Sequence, residues 1–242
     1  MVRVELILLT QSAKRRNNPV DGYGRCVSGI ITRFVEGAPS GGRFQVGSFI
    51  RLVNDVYGDS LNRDQMILTN GSLADVLDKV IVPLQDHCSR DVAFWENINH
   101  CEDWPIVQGV PWEKVGVANI YDVLQLHPSS GYKYIFGTDN AAVDFNHVKQ
   151  LKGKSLDVFK VDNLVIDSIY DEVNAKTKVL ASFDYFSQFG SNTYCVHYEN
   201  INVTIRNYYM NCGQHNIGEA YIVVSIPKTG PFTKFIARVF PV

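Results

Sequence analysis

Thr10, Ser12 and Lys14 alternate along the chain, and Arg15 and Arg16 follow at once. If the apolar run Leu6-Ile7-Leu8-Leu9 continues through them as a strand, the period of two puts Thr10, Ser12 and Lys14 on one face. Hydroxyls that donate and an ammonium that supplies charge make a phosphate-holding set. Arg25, Arg33, Arg43 and Arg51 lie on or beside the next two strand-like runs, with Phe34, Phe44 and Phe49 between them. Cationic side chains that neutralise phosphates, interleaved with rings that stack on bases, are how small barrels hold single strands. The candidate ligand set is therefore Thr10, Ser12, Lys14, Arg15, Arg16, Arg25 and Arg51. Phe34 and Phe44 are the stacking candidates, while Phe49 suits a core.

Other chemistry finds less footing. Cys26 would need a nearby base to act as a nucleophile, and no Cys–His signature accompanies it, so a small core residue is expected there. His87-Cys88 and His100-Cys101 offer four zinc-capable groups. Neighbouring side chains in extended chain point apart and the usual CxxC spacing is absent, so no zinc is expected. The acids around Glu102 and Asp103 form no ordered magnesium motif. No Walker loop, GxGxxG, GxSxG or HExxH occurs. A non-enzymatic binding role without a cofactor follows.

The elements that must position these residues read as two β-rich sets. Residues 3–9, 25–34, 44–54 and 79–84 form the first, with Glu36 to Gly42 as a turn and Ser72 to Leu77 as a helical turn. Gly29 and Gly47 mark bulges or tight bends. The second set is 156–169, 176–186, 193–198 continuing to about 205, 219–226 and 234–241. Five short strands suit an OB-type Greek-key barrel, and an SH3-like barrel or small sandwich fits nearly as well. Between the sets, Asp86 to Glu113 reads as loop with short helices. A helix capped by Asn119 is expected over 119–126, and another helical turn over 144–151. Trp95, Trp104 and Trp112 all fall in this stretch and are expected to be core residues. The expected division is a barrel over 1–85, a mixed connecting segment over 86–150 and a barrel over 151–242.

A hydrophobic content of 45 % with 20 % charged residues is that of a globular chain, which excludes wholesale disorder. No apolar run is long enough for a membrane helix. Met1-Val2-Arg3 leads straight into a strand-like run without a cleavage signal, and the five cysteines are scattered. Free thiols and a cytoplasmic location are expected. The net charge of −2 conceals a gradient. Residues 1–51 carry eight Lys/Arg against three Asp/Glu, or +5; residues 52–147 carry five against fourteen, or −9; the remainder carries ten against eight, or +2. A polyanion would prefer the N-terminal part.

The run Leu9-Thr10-Gln11-Ser12-Ala13-Lys14, then Cys26-Val27-Ser28-Gly29-Ile30, then Phe49-Ile50-Arg51-Leu52-Val53 resembles the bacterial dual OB-containing domain family, with its LTxSxK, CVAGI and WIRLV pieces. Val82-Pro83-Leu84, Glu102-Asp103-Trp104, His127-Pro128-Ser129, Val161-Asp162-Asn163-Leu164 and the closing Tyr221–Ser225 and Phe235–Ala237 runs fit the same pattern. Phe49 stands where the family usually has Trp, and Ser28 where it often has Ala. The resemblance implies two OB folds and a nucleic-acid or nucleotide-binding role with no established enzymatic activity. Single-stranded nucleic acid or a nucleotide is thus the expected ligand. The alternative is a protein-interaction or sensor module of a bacterial multi-protein system. It would use the tyrosines of the second barrel, Tyr194, Tyr198, Tyr208, Tyr209 and Tyr221, whose near-neutral surroundings favour a protein partner.

Overall fold

The computed structural model describes all residues except 14–24, 38–43, 55–59, 91, 129–131, 174, 199–208, 210–212 and 229. The chain divides into two compact units, Met1–Pro128 with Lys152–Lys154, and Ser129–Leu151 with Ser155–Val242. The stretch 86–150, expected as a separate connector, is thus shared out. Most of it completes the first unit, and the rest belongs to the second.

The first unit is built from β1 (Val2–Ala13), β2 (Arg25–Glu36), β3 (Phe49–Val53), β4 (Asp78–Leu84), β5 (Asp103–Pro105) and β6 (Glu113–Val117), in the sheet order β5-β3-β2-β1-β4-β6. β3 runs parallel to β5, while β1 is antiparallel to both β2 and β4. An antiparallel bridge between Leu84, at the end of β4, and Ile106, just past β5, ties the β5 edge back to β4. Backbone bonds from Gln85 N to Pro105 O and from Val107 N to Pro83 O support it. β5 and β6 therefore act as one interrupted fifth strand along β4. They escape a sequence reading because Asp103-Trp104-Pro105 is too short to alternate and Glu113–Val117 is a polar edge.

One face of this sheet points into the barrel. Leu6, Leu8, Val27, Ile31, Ile50 and Leu52 pack there with Val80 and Val82, and Trp104 and Trp112 close the core as fully buried residues. Trp95 is also buried. On the opposite face the register row Ile7, Ile30 and Phe49 is buried as well. α1 (Ile120–Leu126) ends beside it, with the His127 ring centroid 4.5 Å from that of Phe49. Asn119 caps α1 through a capping box with Asp122. Ser72 to Leu77 is not helical: Leu73 bridges Ile67, and the Ala74 N–H donates to Met66 O, so the segment is tied into an extended pairing.

In the second unit α2 (Phe145–Gln150), capped by Asp144, precedes β7 (Leu156–Asp171), β8 (Lys176–Ser187), β9 (Gly190–Tyr198), β10 (His215–Ser225) and β11 (Phe235–Pro241). These strands close a barrel in the order β10-β11-β9-β8-β7. β9 is parallel to β11, and all other neighbours are antiparallel. The continuation of β9 toward residue 205 lies outside the described residues. Both units thus share one connectivity: a three-strand meander, a fourth strand returning beside the first, and a fifth parallel to the third. This is the five-stranded Greek-key barrel of the OB fold, and it decides against the SH3-like and sandwich alternatives.

Candidate functional site

On the first barrel, register aligns Thr10 of β1, Ser28 of β2, Arg51 of β3 and Asp103 of β5 in one row across four strands. The row faces away from the barrel core, because Val27, Ile50 and Leu52 take the inward positions. Its groups pair along the row. Thr10 and Ser28 are buried and share a 2.6 Å hydroxyl hydrogen bond. Arg51 Nη1 lies 3.5 Å from Asp103 Oδ1 and 3.9 Å from Glu102 Oε2, and both acids are buried. Burial opposes the charge of Arg51, yet Asp103 and Glu102 outweigh it, with Cys26 and Glu96 adding, so its pKa is raised. Phe49 and Arg51, two apart on β3, share a face, but the Arg51 guanidinium is neutralised and does not stand ready for a phosphate.

The other described arginines of these strands are paired too. Arg33 Nε donates to Glu5 Oε2 at 2.6 Å, and Arg3 lies 3.1 Å from Glu113. Burial acts against the Glu5 carboxylate, but hydrogen bonds from Thr32 and Arg33 hold its pKa below the usual range. The excess positive charge of residues 1–51 therefore falls on Lys14, Arg15, Arg16, Arg25 and Arg43. Lys14, Arg15, Arg16 and Arg43 lie outside the described residues, as do the side chains of Ser12 and Arg25. The backbone still fixes the ends of their loop: Ser12 pairs with Cys26, and Ala13 with Arg25.

The stacking candidates form a short aromatic chain. Phe34 lies 5.3 Å from Phe44, whose ring is 4.2 Å from the buried Trp104. Phe44 thus extends the core, and Phe34, 37 % exposed, sits at its rim. Cys26 is exposed, not a core residue, because it stands where β2 leaves the loop.

The connection between β4 and β5 carries features that the sequence does not announce. Cys88 and Cys101, at its two ends, are buried, and their thiols donate to Ile98 O at 3.8 Å and Asp103 O at 3.5 Å. Burial pushes both thiols up, and Asp103 adds to this at Cys101. His87 instead meets Asp86 at 3.0 Å on the surface. Among the described residues no group of three or more His, Cys, Asp or Glu is arranged to hold a metal ion.

In the second barrel two of these tyrosines turn inward, while Tyr209 and Tyr221 are half-buried. Tyr194 and Tyr198 are buried, Phe183 stacks on Tyr194 at 5.5 Å, and Tyr209 packs edge-on against Tyr198. The Tyr194 hydroxyl donates to Thr138 O and accepts from Ile135 N–H, and burial raises its pKa to about 12. Lys234, 1 % exposed, extends Nζ to Thr138 O, Thr138 Oγ1 and Asn140 O at 2.6–2.8 Å. Tyr194, which the sequence suggests as part of a binding surface, thus joins Lys234 in holding the 135–140 segment against the barrel. Tyr208 lies outside the described residues.

Two five-stranded Greek-key barrels in one chain define a dual OB-fold architecture. The chain belongs to the dual OB-containing domain family, whose model matches residues 4–239. Among solved structures it is similar to a chain from "Structure and Conformational Change of a Replication Protein A Heterotrimer Bound to ssDNA". The identity is 12 %, with a TM-score of 0.33, covering 96 % of this chain and 46 % of that one. The chain thus spans about half that relative's length. No curated protein matches. No helix among the described residues is long and apolar enough to cross a membrane.

Proposed function

We propose that this chain is a non-catalytic, cytoplasmic OB-type module that binds single-stranded nucleic acid or a nucleotide on its first barrel. The ligand is held by the loop joining β1 to β2. One observation carries the reading. The described arginines of β1 to β3 are matched by carboxylates, so the excess charge falls on the Lys14-Arg15-Arg16 loop and its neighbours. That loop joins the first two strands of an OB barrel, one of the places where this fold takes oligonucleotides. Lysine and arginine there neutralise phosphates without reading sequence.

Fluorescence anisotropy with a labelled oligothymidylate at two salt concentrations tests this. The wild type should bind at low salt and weaken steeply as salt rises. Replacing Lys14, Arg15 and Arg16 together by Ala should reduce the slope of log K against log salt by roughly 0.7 for each phosphate that is no longer neutralised. Lys228→Ala in the second unit should leave it unchanged. Absence of binding at low salt with micromolar protein would overturn the proposal.

A further inference from the structure

Phe183 and Tyr185 of β8 are buried in the second barrel, so alternation turns Asp184 and Phe186 outward. Asp184 Oδ1 accepts from the Thr193 hydroxyl of β9 at 2.6 Å, and Oδ2 accepts from the Asn163 amide of β7 at 2.8 Å. The bonds from Asn163 and Thr193 hold the Asp184 pKa below the usual carboxylate range, so the group is ionised at neutral pH. Both donors are neutral and leave its charge in place. Each oxygen also keeps a second lone pair.

Asn163 reaches Asp184 through a backbone irregularity. The β7–β8 register shifts between Asp162 and Val165, and Asn163 sits there with φ at +52°, in the left-handed region. A bulge re-aims a side chain, and here it carries an amide onto the carboxylate. Asp184 is thus oriented from both neighbouring strands. Phe186 lies two residues further along the same face, 55 % exposed, with the exposed Ser191 opposite it on β9. The β7–β8 register ends at Asp162 and Asp184, so Phe186 stands past the last β7 partner.

An open ring beside an oriented, ionised carboxylate suits a base: the ring stacks on its face and the carboxylate accepts from its edge. Guanine presents two adjacent donors, N1–H and N2–H, on its Watson–Crick edge. Adenine and cytosine set a ring-nitrogen acceptor beside the amino group, and thymine has one N–H between two carbonyls. A carboxylate repels those acceptors, and it repels phosphate.

We infer that Asp184 and Phe186 form a guanine-recognition site on the outer face of the second barrel. Asp184 accepts from guanine N1–H and N2–H, and Phe186 stacks on the ring. This goes beyond the ligand proposed for the first barrel and stands without it. A free nucleotide and a single strand both offer this base, and the test separates them.

Isothermal titration calorimetry on the full chain compares guanosine with adenosine 5′-monophosphate in one arm. The other arm compares an oligothymidylate carrying one central guanine with the same strand carrying adenine. Guanine should bind at least about fivefold more tightly than adenine. A preference in both arms shows that the free nucleotide suffices, and one confined to the strands assigns guanine within a single strand. Asp184→Asn should abolish the preference. Phe186→Ala should weaken the guanine ligand at least about fivefold, and Phe186→Trp should retain it. The preference should survive replacement of Lys14, Arg15 and Arg16 by Ala, whatever that change does to salt dependence. Absence of a guanine preference in both arms, its persistence in Asp184→Asn, or unchanged guanine binding in Phe186→Ala overturns the assignment and leaves the first-barrel proposal to its own test.

Discussion

Arg51 lies across from Asp103 in the parallel pairing of β3 with β5, and the two side chains meet at 3.5 Å with Asp103 fully covered. Glu102 presses on the same guanidinium and its backbone carbonyl accepts the Arg51 N–H at 2.8 Å. The arginine thus fastens the fifth strand to the third. It reads in sequence as a phosphate ligand because Arg in a strand next to a basic loop is the usual sign of one. The acids that claim it come from a segment some fifty residues away.

Arg51→Met should therefore act on stability. It leaves two buried carboxylates without their counter-charge, which costs about 3–5 kcal/mol. Trp95, Trp104 and Trp112 all belong to the first unit, so urea unfolding followed by tryptophan emission reports on that barrel alone. Adding Glu102→Gln and Asp103→Asn should recover part of the loss. A small destabilisation together with a reduced salt slope would return Arg51 to the ligand set.

Thr10 and Ser28 make a second internal pair. Thr10→Val strands a buried hydroxyl on Ser28 and should cost about 1–3 kcal/mol, whereas Thr10→Val with Ser28→Ala should be closer to neutral. Additive costs across this double-mutant cycle would contradict the pairing. Oligonucleotide binding by folded Thr10→Val should equal that of the wild type.

Gly47 and Gly71 separate backbone strain from crowding. Both have positive φ, +83° and +81°, but a Cβ on Gly47 would lie 2.6 Å from the Leu126 carbonyl oxygen while one on Gly71 meets nothing within 4 Å. Gly71→Ala should cost about 1 kcal/mol from the left-handed backbone alone. Gly47→Ala should add about 1–3 kcal/mol for displacing the end of α1. Thermal unfolding monitored by tryptophan emission should rank Gly47→Ala below Gly71→Ala, and equal transitions would refute the close approach.

Much of the scaffold is legible because local rules and tertiary structure agree. Alternation in β1, the Asn119 cap and the five apolar runs of the second barrel each report a fixed geometry. Gly29 is visible as an irregularity, and it sits opposite the bulge between Leu8 and Thr10. The candidate site is half legible. Composition locates the basic loop, but pairing is non-local: Glu5, Glu102 and Asp103 decide which arginines remain available. The tyrosines mislead for a related reason. Alternation in β9 puts Tyr194 and Tyr198 on one face, but whether that face is inside depends on barrel closure, which no single strand encodes.

Lys234 is not legible at all, since a lysine before a strand looks like any surface lysine. It is held by three oxygens of the Thr138–Asn140 segment, and burial pushes its pKa from 10.5 down to about 7, with only Asp139 acting against the shift. Between about pH 7 and 10.5 the unfolded chain binds a proton that the folded chain lacks, so this residue makes stability rise with pH. Below about pH 7 both states are protonated and its contribution is flat. The difference in unfolding free energy between wild type and Lys234→Met should thus shift in favour of the wild type by about 2 kcal/mol from pH 7 to pH 9. Urea unfolding of both proteins at the two pH values measures it, with far-UV circular dichroism for the whole chain and tryptophan emission for the first unit. The change should appear in the dichroism and be absent from the tryptophan transition. A difference that stays constant, or narrows as pH rises, would mean that the three acceptors keep the ammonium charged throughout.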